Sequence, residues 1–163
     1  QTPIEDGDHV LLYGLQWSDL LRETVTSVAR RHRMPIIAMG GPLLPWKRIG
    51  KRVDPATPGE WIGRIRRAGI VVTNSYHGLI FSILSGKQVY VPLLSNSLAR
   101  RNERMEHLCD MLGISRQVIV SDAARLPEDR IDWTGVRRRI HDARIRSLQF
   151  LANAVGDPQP HVQ

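Results

Sequence analysis

At 163 residues with 42% hydrophobic content, the chain is long enough to bury one core and too short for two, so a single domain is expected. Its net charge of +7 is carried by arginine, since lysine occurs only at positions 47, 51 and 87; there is no zinc-finger spacing, RNP-like aromatic motif or basic block interleaved with aromatics, so nucleic acid is not the expected partner. No apolar run reaches the roughly 20 residues that cross a bilayer, and the single cysteine, Cys109, excludes an internal disulfide, which fits a soluble protein of a reducing compartment, the cytoplasm.

Residues 1–8 are polar and read as a tail or severed linker, the chain opening on Gln1-Thr2-Pro3 with no initiator methionine. Val10, Leu11, Leu12 and Tyr13 form the short apolar run of a fully buried parallel strand. Ser18 can cap the following helix, in which Leu21, Val25 and Val28 recur at helical spacing. A second strand covers 36–39 and ends at Gly40-Gly41-Pro42, a turn without the spacing of a dinucleotide fingerprint or a P-loop. Residues 42–56 carry three prolines, Trp46 and the basic residues Lys47, Arg48, Lys51 and Arg52, and read as a long surface loop.

Thr57-Pro58-Gly59-Glu60 starts the next helix: Thr57 caps, Pro58 needs no donor in the first turn, and Glu60 can close a capping box. Residues 70–73 are a β-branched run that reads as a buried strand, and 79–84 are apolar on nearly every face, as in a buried helix. Between them Asn74-Ser75-Tyr76-His77-Gly78 is a turn at a strand's carboxyl end and a helix's amino end, with Asn74 or Ser75 as the cap. The unpaired N–H groups and the dipole of a helix start attract anions. Gly78 admits close backbone approach, and His77 offers a ring that can carry a proton. Without context, a single histidine such as His77 reads first as a helix cap or a hydrogen-bonding loop residue rather than as a catalytic group.

Gly86 ends that helix and 89–91 form the next strand. Residues 95–104 then leave the strand's carboxyl end, the edge where open parallel sheets hold ligands. Arg100, Arg101 and Arg104 are therefore candidates to hold a phosphate or carboxylate at His77, the alternative being an exposed basic loop. Met105, Leu108, Cys109 and Leu112 make an amphipathic helix closed by Gly113, with Cys109 in the core; 117–120 reads as a last short strand and 121–130 as a polar turn. A long helix over 132–155 follows, with Asp132 as cap and Ile140, Ile145, Leu148, Leu151 and Ala152 on an apolar side, and 156–163 reads as a disordered tail.

Strand and helix alternate four or five times, which predicts an α/β fold: a doubly wound, mostly parallel sheet with helices on both faces, spanning 9–155. Thr73-Asn74-Ser75-Tyr76-His77-Gly78 resembles the Thr-Asp-Ser-Phe-His-Gly segment of the polysaccharide pyruvyl transferase family. Thr57-Pro58-Gly59-Glu60-Trp61-Ile62 with Ala68-Gly69 is similar to the helix before that segment, and Asn102-Glu103-Arg104 to the arginine-containing helix start after it. Two positions depart from the pattern. Asn74 stands where aspartate is common, which removes a possible carboxylate partner for His77, and Tyr76 stands where phenylalanine is common.

The resemblance implies a Rossmann-like, carboxyl-terminal half of a GT-B-like enzyme, its amino-terminal half absent or supplied by a partner chain. It implies transfer of pyruvate from phosphoenolpyruvate to glycan hydroxyls as a ketal, with no cofactor and no metal. His77 is then the catalytic candidate, as proton donor or phosphate ligand, and Asn74, Ser75, Gly78, Arg100, Arg101 and Arg104 are candidates for substrate binding. Two other functions fit the residues: the donor half of a sugar-nucleotide glycosyltransferase, and a non-catalytic basic binding module.

Overall fold

The computed structural model describes residues 7–40, 49–55 and 57–156. Among them, strands and helices alternate: β1 Val10–Tyr13, α1 Asp19–His32, β2 Ile36–Met39, β3 Lys51–Val53, α2 Pro58–Arg67, β4 Ile70–Thr73, α3 Tyr76–Leu84 and β5 Gln88–Pro92. A 3-10 turn, Asn96–Arg101, then leads into α4 Asn102–Leu112, a short α5 Ser115–Val118, β6 Ile119–Val120 and α6 Trp133–Gly156.

The six strands form one sheet in the order β3-β2-β1-β4-β5-β6, and every pairing is parallel. This is the doubly wound order, in which the direction of winding reverses between β1 and β4. Alternation along the strands divides the core in two. Leu11, Ile37, Met39, Val71, Val89 and Val91 face a layer that includes Ile65 of α2, Leu79 of α3, Met105 and Cys109 of α4 and Val136 of α6. Val10, Leu12, Ala38, Val72 and Tyr90 face the other way, onto Leu21, Val25 and Val28 of α1. The expected fold class, with helices on both faces, is the observed one.

The helix ends follow local chemistry. Ser18 Oγ accepts from Leu21 N–H at 3.1 Å, Thr57 Oγ1 from Glu60 N–H at 3.2 Å, and Asp132 Oδ1 from both Thr134 and Gly135 N–H at 3.1 Å. Gly86 and Gly113 close α3 and α4 with φ of 64° and 67°, backbone that favours glycine.

Four expectations need correction. The strand read over 117–120 is only β6, since Gln117 and Val118 belong to the short helix α5, where Gln117 N–H donates to Ile114 C=O. The loop read over 42–56 contains β3, whose Lys51 and Arg52 pair beside β2 at the sheet edge, where a strand needs little apolar content; residues 41–48 and 56 lie outside the described residues. Helix α3 is not enclosed, since Leu84 is 66% exposed. The apolar side of α6 is covered only at its start: Val136 is buried, while Ile145, Leu148 and Leu151 face solvent. Of the two tails, residues 1–6 and 157–163 lie outside the described residues; Gly7 is tied down by its N–H to Arg67 C=O at 2.9 Å, and Gly156 is the last residue of α6. No helix of the described residues is long and apolar enough to cross a membrane.

Candidate functional site

At the carboxyl edge, β1 and β4 end side by side, Tyr13 in register with Thr73. Here the winding reverses, the two outgoing loops diverge, and a crevice between them is the usual place for a ligand in such sheets. One loop is 14–18, leading to α1; the other is the two-residue turn Asn74-Ser75, leading to α3.

Polar side chains lock the turn. Thr73 Oγ1 accepts from Ser75 N–H at 3.1 Å, and Ser75, extended at φ −101° and ψ 130°, caps α3 by accepting from Gly78 N–H at 3.3 Å. Ser82 Oγ donates back to Gly78 C=O at 2.7 Å. Gly78 has no room for a side chain: a Cβ there would lie 2.9 Å from Tyr13 Cδ1 and closer still to the Thr73 hydroxyl. Helix α3 therefore starts directly against the end of β1.

Asn74 is only 2% exposed, and its amide is used at both ends. Oδ1 accepts from Leu15 N–H at 2.9 Å, and Nδ2 donates to Gln16 C=O at 2.7 Å. The side chain thus spends its amide on the loop after β1 and ties the two diverging loops together. A carboxylate could accept from Leu15 but could not donate to Gln16, which gives a physical reason for asparagine here.

His77, the second helical residue of α3, is exposed. The N–H groups of Tyr76 and His77, in the first turn, have no intrahelical acceptor, and that turn contains no acidic residue. Gly78 N–H is already taken by Ser75, so the first-turn N–H groups left without a helical or capping acceptor are those of Tyr76 and His77.

Of the three candidate arginines, Arg104 comes to this turn: its Cζ lies 5.0 Å from the centroid of the Tyr76 ring. The Tyr76 ring meets the His77 ring edge-on, at 6.1 Å and 73°. Arg104 has reached this place because α4 is anchored by Asn102, which accepts from Leu94 N–H at 2.9 Å and donates to Leu94 C=O at 2.8 Å. Arg100 and Arg101, on the preceding 3-10 turn, are exposed, and among the described residues no contact brings either to the turn. Tyr76 and Asn102 were not among the residues singled out as candidates; an aromatic at the first helical position and a buried asparagine before Arg104 were the available signals.

A groove of about 420 Å³ opens at the opposite, amino edge of the sheet, where Gly69, Gly86 and Gln88 precede or begin the strands. Arg31, His32, Arg130 and Trp133 line it, so it stands apart from the His77 turn.

The family model for polysaccharide pyruvyl transferase matches residues 6–93. The chain belongs to that family. The pyruvyl transferase match runs from β1 through β5, taking in Asn74, Ser75, His77 and Gly78 but ending before Arg100, Arg101 and Arg104. Among solved structures, the crystal structure of Arabidopsis thaliana UGT89C1 is similar to 82% of the chain at 11% identity and a TM-score of 0.48, the chain covering 33% of it. The same protein complexed with quercetin is similar to 86% of the chain at 13% identity and a TM-score of 0.44, with 35% of it covered. The chain thus spans about a third of the length of these structures. No curated protein matches it.

Proposed function

We propose that this chain is the donor-binding half of an enzyme that transfers pyruvate from phosphoenolpyruvate to glycan hydroxyls. The observation that carries the reading is the exposed His77 on the first turn of α3, in a segment covered by the pyruvyl transferase match.

The chemistry asks for three things. The enol CH2 carbon of the donor must receive a proton, C2 must accept acceptor oxygens, and phosphate must leave with the electron pair of the C2–O bond. Two hydroxyls of one acceptor add to C2 in turn, their protons ending on the new methyl group and on the released phosphate. His77 is the proton donor in this scheme, or the ligand of the phosphate. The free N–H groups of Tyr76 and His77 and the Arg104 guanidinium hold the anionic groups, while Ser75, Gly78 and Asn74 fix the backbone that presents them. Arg100 and Arg101, exposed on the 3-10 turn before α4, are further candidates for the anionic groups of the donor. The acceptor site itself belongs to the portion of the enzyme beyond this chain, which we place on a partner domain or chain.

The family match favours this reading over a sugar-nucleotide transferase. His77→Ala, in the enzyme with its acceptor-binding half, is expected to abolish turnover or to weaken phosphoenolpyruvate binding strongly. Unchanged binding and turnover would show the site assignment to be wrong. A thermal-shift series separates the alternatives: protection by phosphoenolpyruvate supports the proposal, and protection by a nucleotide sugar alone opposes it.

A further inference from the structure

Tyr76 occupies an unusual position between the two functional elements of the site. It is the first helical residue of α3 and half-buried, with the Arg104 guanidinium 5.0 Å from its ring centroid and the His77 ring 6.1 Å away at its edge. Arg104 lies in the first turn of α4, and among the described residues no ion pair with a carboxylate restrains it. An exposed arginine with no such restraint samples many rotamers, and an aromatic face that accepts the planar cation reduces that freedom.

The backbone beneath both partners is fixed independently. Ser75 and Thr73 set the start of α3, and the paired hydrogen bonds of Asn102 to Leu94 set the start of α4. The Tyr76 ring therefore bridges two braced helix starts, a common neighbour of the histidine and of the cation. The contact uses the ring face, so the hydroxyl that distinguishes tyrosine from the phenylalanine common in the family is not needed for it.

We infer that Tyr76 is a positioning residue: its ring holds the Arg104 guanidinium beside His77, where the phosphate or carboxylate of the donor binds. This role rests on the donor reading of the His77 turn. It acts on donor affinity through Arg104, and the proton-transfer step does not depend on it.

The test combines NMR of the Arg104 side chain with phosphoenolpyruvate titration of the 163-residue chain and its variants Tyr76→Phe, Tyr76→Leu, Arg104→Gln and Tyr76→Leu with Arg104→Gln. The Arg104 side-chain protons are expected to carry an upfield ring-current shift that Tyr76→Phe keeps and Tyr76→Leu removes. Tyr76→Phe should bind the donor as the unsubstituted chain does, Tyr76→Leu about three- to tenfold more weakly, and the double variant no more weakly than Arg104→Gln. Thermal melting of each variant checks that it folds, and Tyr76→Phe and the exposed Arg104→Gln keep the test decisive if Tyr76→Leu does not. Losses that add in the double variant, a loss of affinity in Tyr76→Phe, or no ring-current shift in the unsubstituted chain would overturn the positioning role and leave the donor reading standing. A ring-current shift in a chain that binds no phosphoenolpyruvate would overturn the donor reading, and the role of Tyr76 with it.

Discussion

The side-chain amide of Asn74 donates to the Gln16 carbonyl at 2.7 Å, joining the turn after β4 to the loop after β1 at the point where the sheet reverses its winding. The same amide accepts from Leu15 N–H, so the two diverging loops are held together by one residue. Asn74→Ala leaves a part-buried donor and acceptor unpaired and is expected to lower stability by about 1–3 kcal/mol. Asn74→Asp should lower it further at neutral pH, since a carboxylate oxygen then faces the Gln16 carbonyl. Urea unfolding measures both; variants as stable as the parent chain would contradict the bracing role.

Gly78 is where α3 comes closest to the sheet. Gly78→Ala sets a methyl group against Thr73 and 2.9 Å from the Tyr13 ring, and is expected to cost about 1–3 kcal/mol through overpacking. A melting temperature lowered by several degrees is the expected observation.

Much of this site could be read from the residue order, and the rest could not for identifiable reasons. The strand at 70–73, the turn and the helix after it follow from local pattern, and so does a cap at Asn74 or Ser75. Which of the two caps depends on what else the turn touches: Ser75 closes α3 because Asn74 is engaged by Leu15 and Gln16, about 58 residues earlier in the chain. Likewise Lys51-Arg52-Val53 has no strand pattern of its own, and β2 recruits it as an edge. Arg104 was distinguished from Arg100 and Arg101 only by the helix phase that Asn102 sets and by the Tyr76 ring. Period and propensity describe a segment; they do not state which distant loop its polar atoms will meet.

His32, at the end of α1, is held below the usual histidine range, first by desolvation and then by Arg31 and Arg130. The unfolded chain therefore binds more protons than the folded one as pH falls below 6.5, so this contribution to stability is present above that pH and is lost on acidification. His32→Asn is expected to flatten the decline in stability between about pH 7 and pH 5. Denaturant midpoints measured across that range provide the check, and an unchanged decline would oppose the assignment.

Burial, with Asp110 and Glu106 nearby, pushes the Cys109 thiol up to about 12. The folded chain then retains a proton that the unfolded chain releases above its ordinary value of 9.0, so this contribution is intact below that pH and is lost as pH rises toward 12. Thiol alkylation of the native chain at pH 8 is expected to be slow and to accelerate with denaturant. Rapid labelling without denaturant would show that Cys109 is not enclosed.

The central claim is that the His77 turn receives the donor, and NMR of the His77 ring during titration with phosphoenolpyruvate tests it most directly. The account predicts a saturable shift of the His77 ring signals, together with the Tyr76 and His77 amides, that inorganic phosphate mimics only weakly and Arg104→Gln reduces. Ring and amide signals that stay fixed while the donor binds elsewhere, or at every concentration of donor, would contradict it.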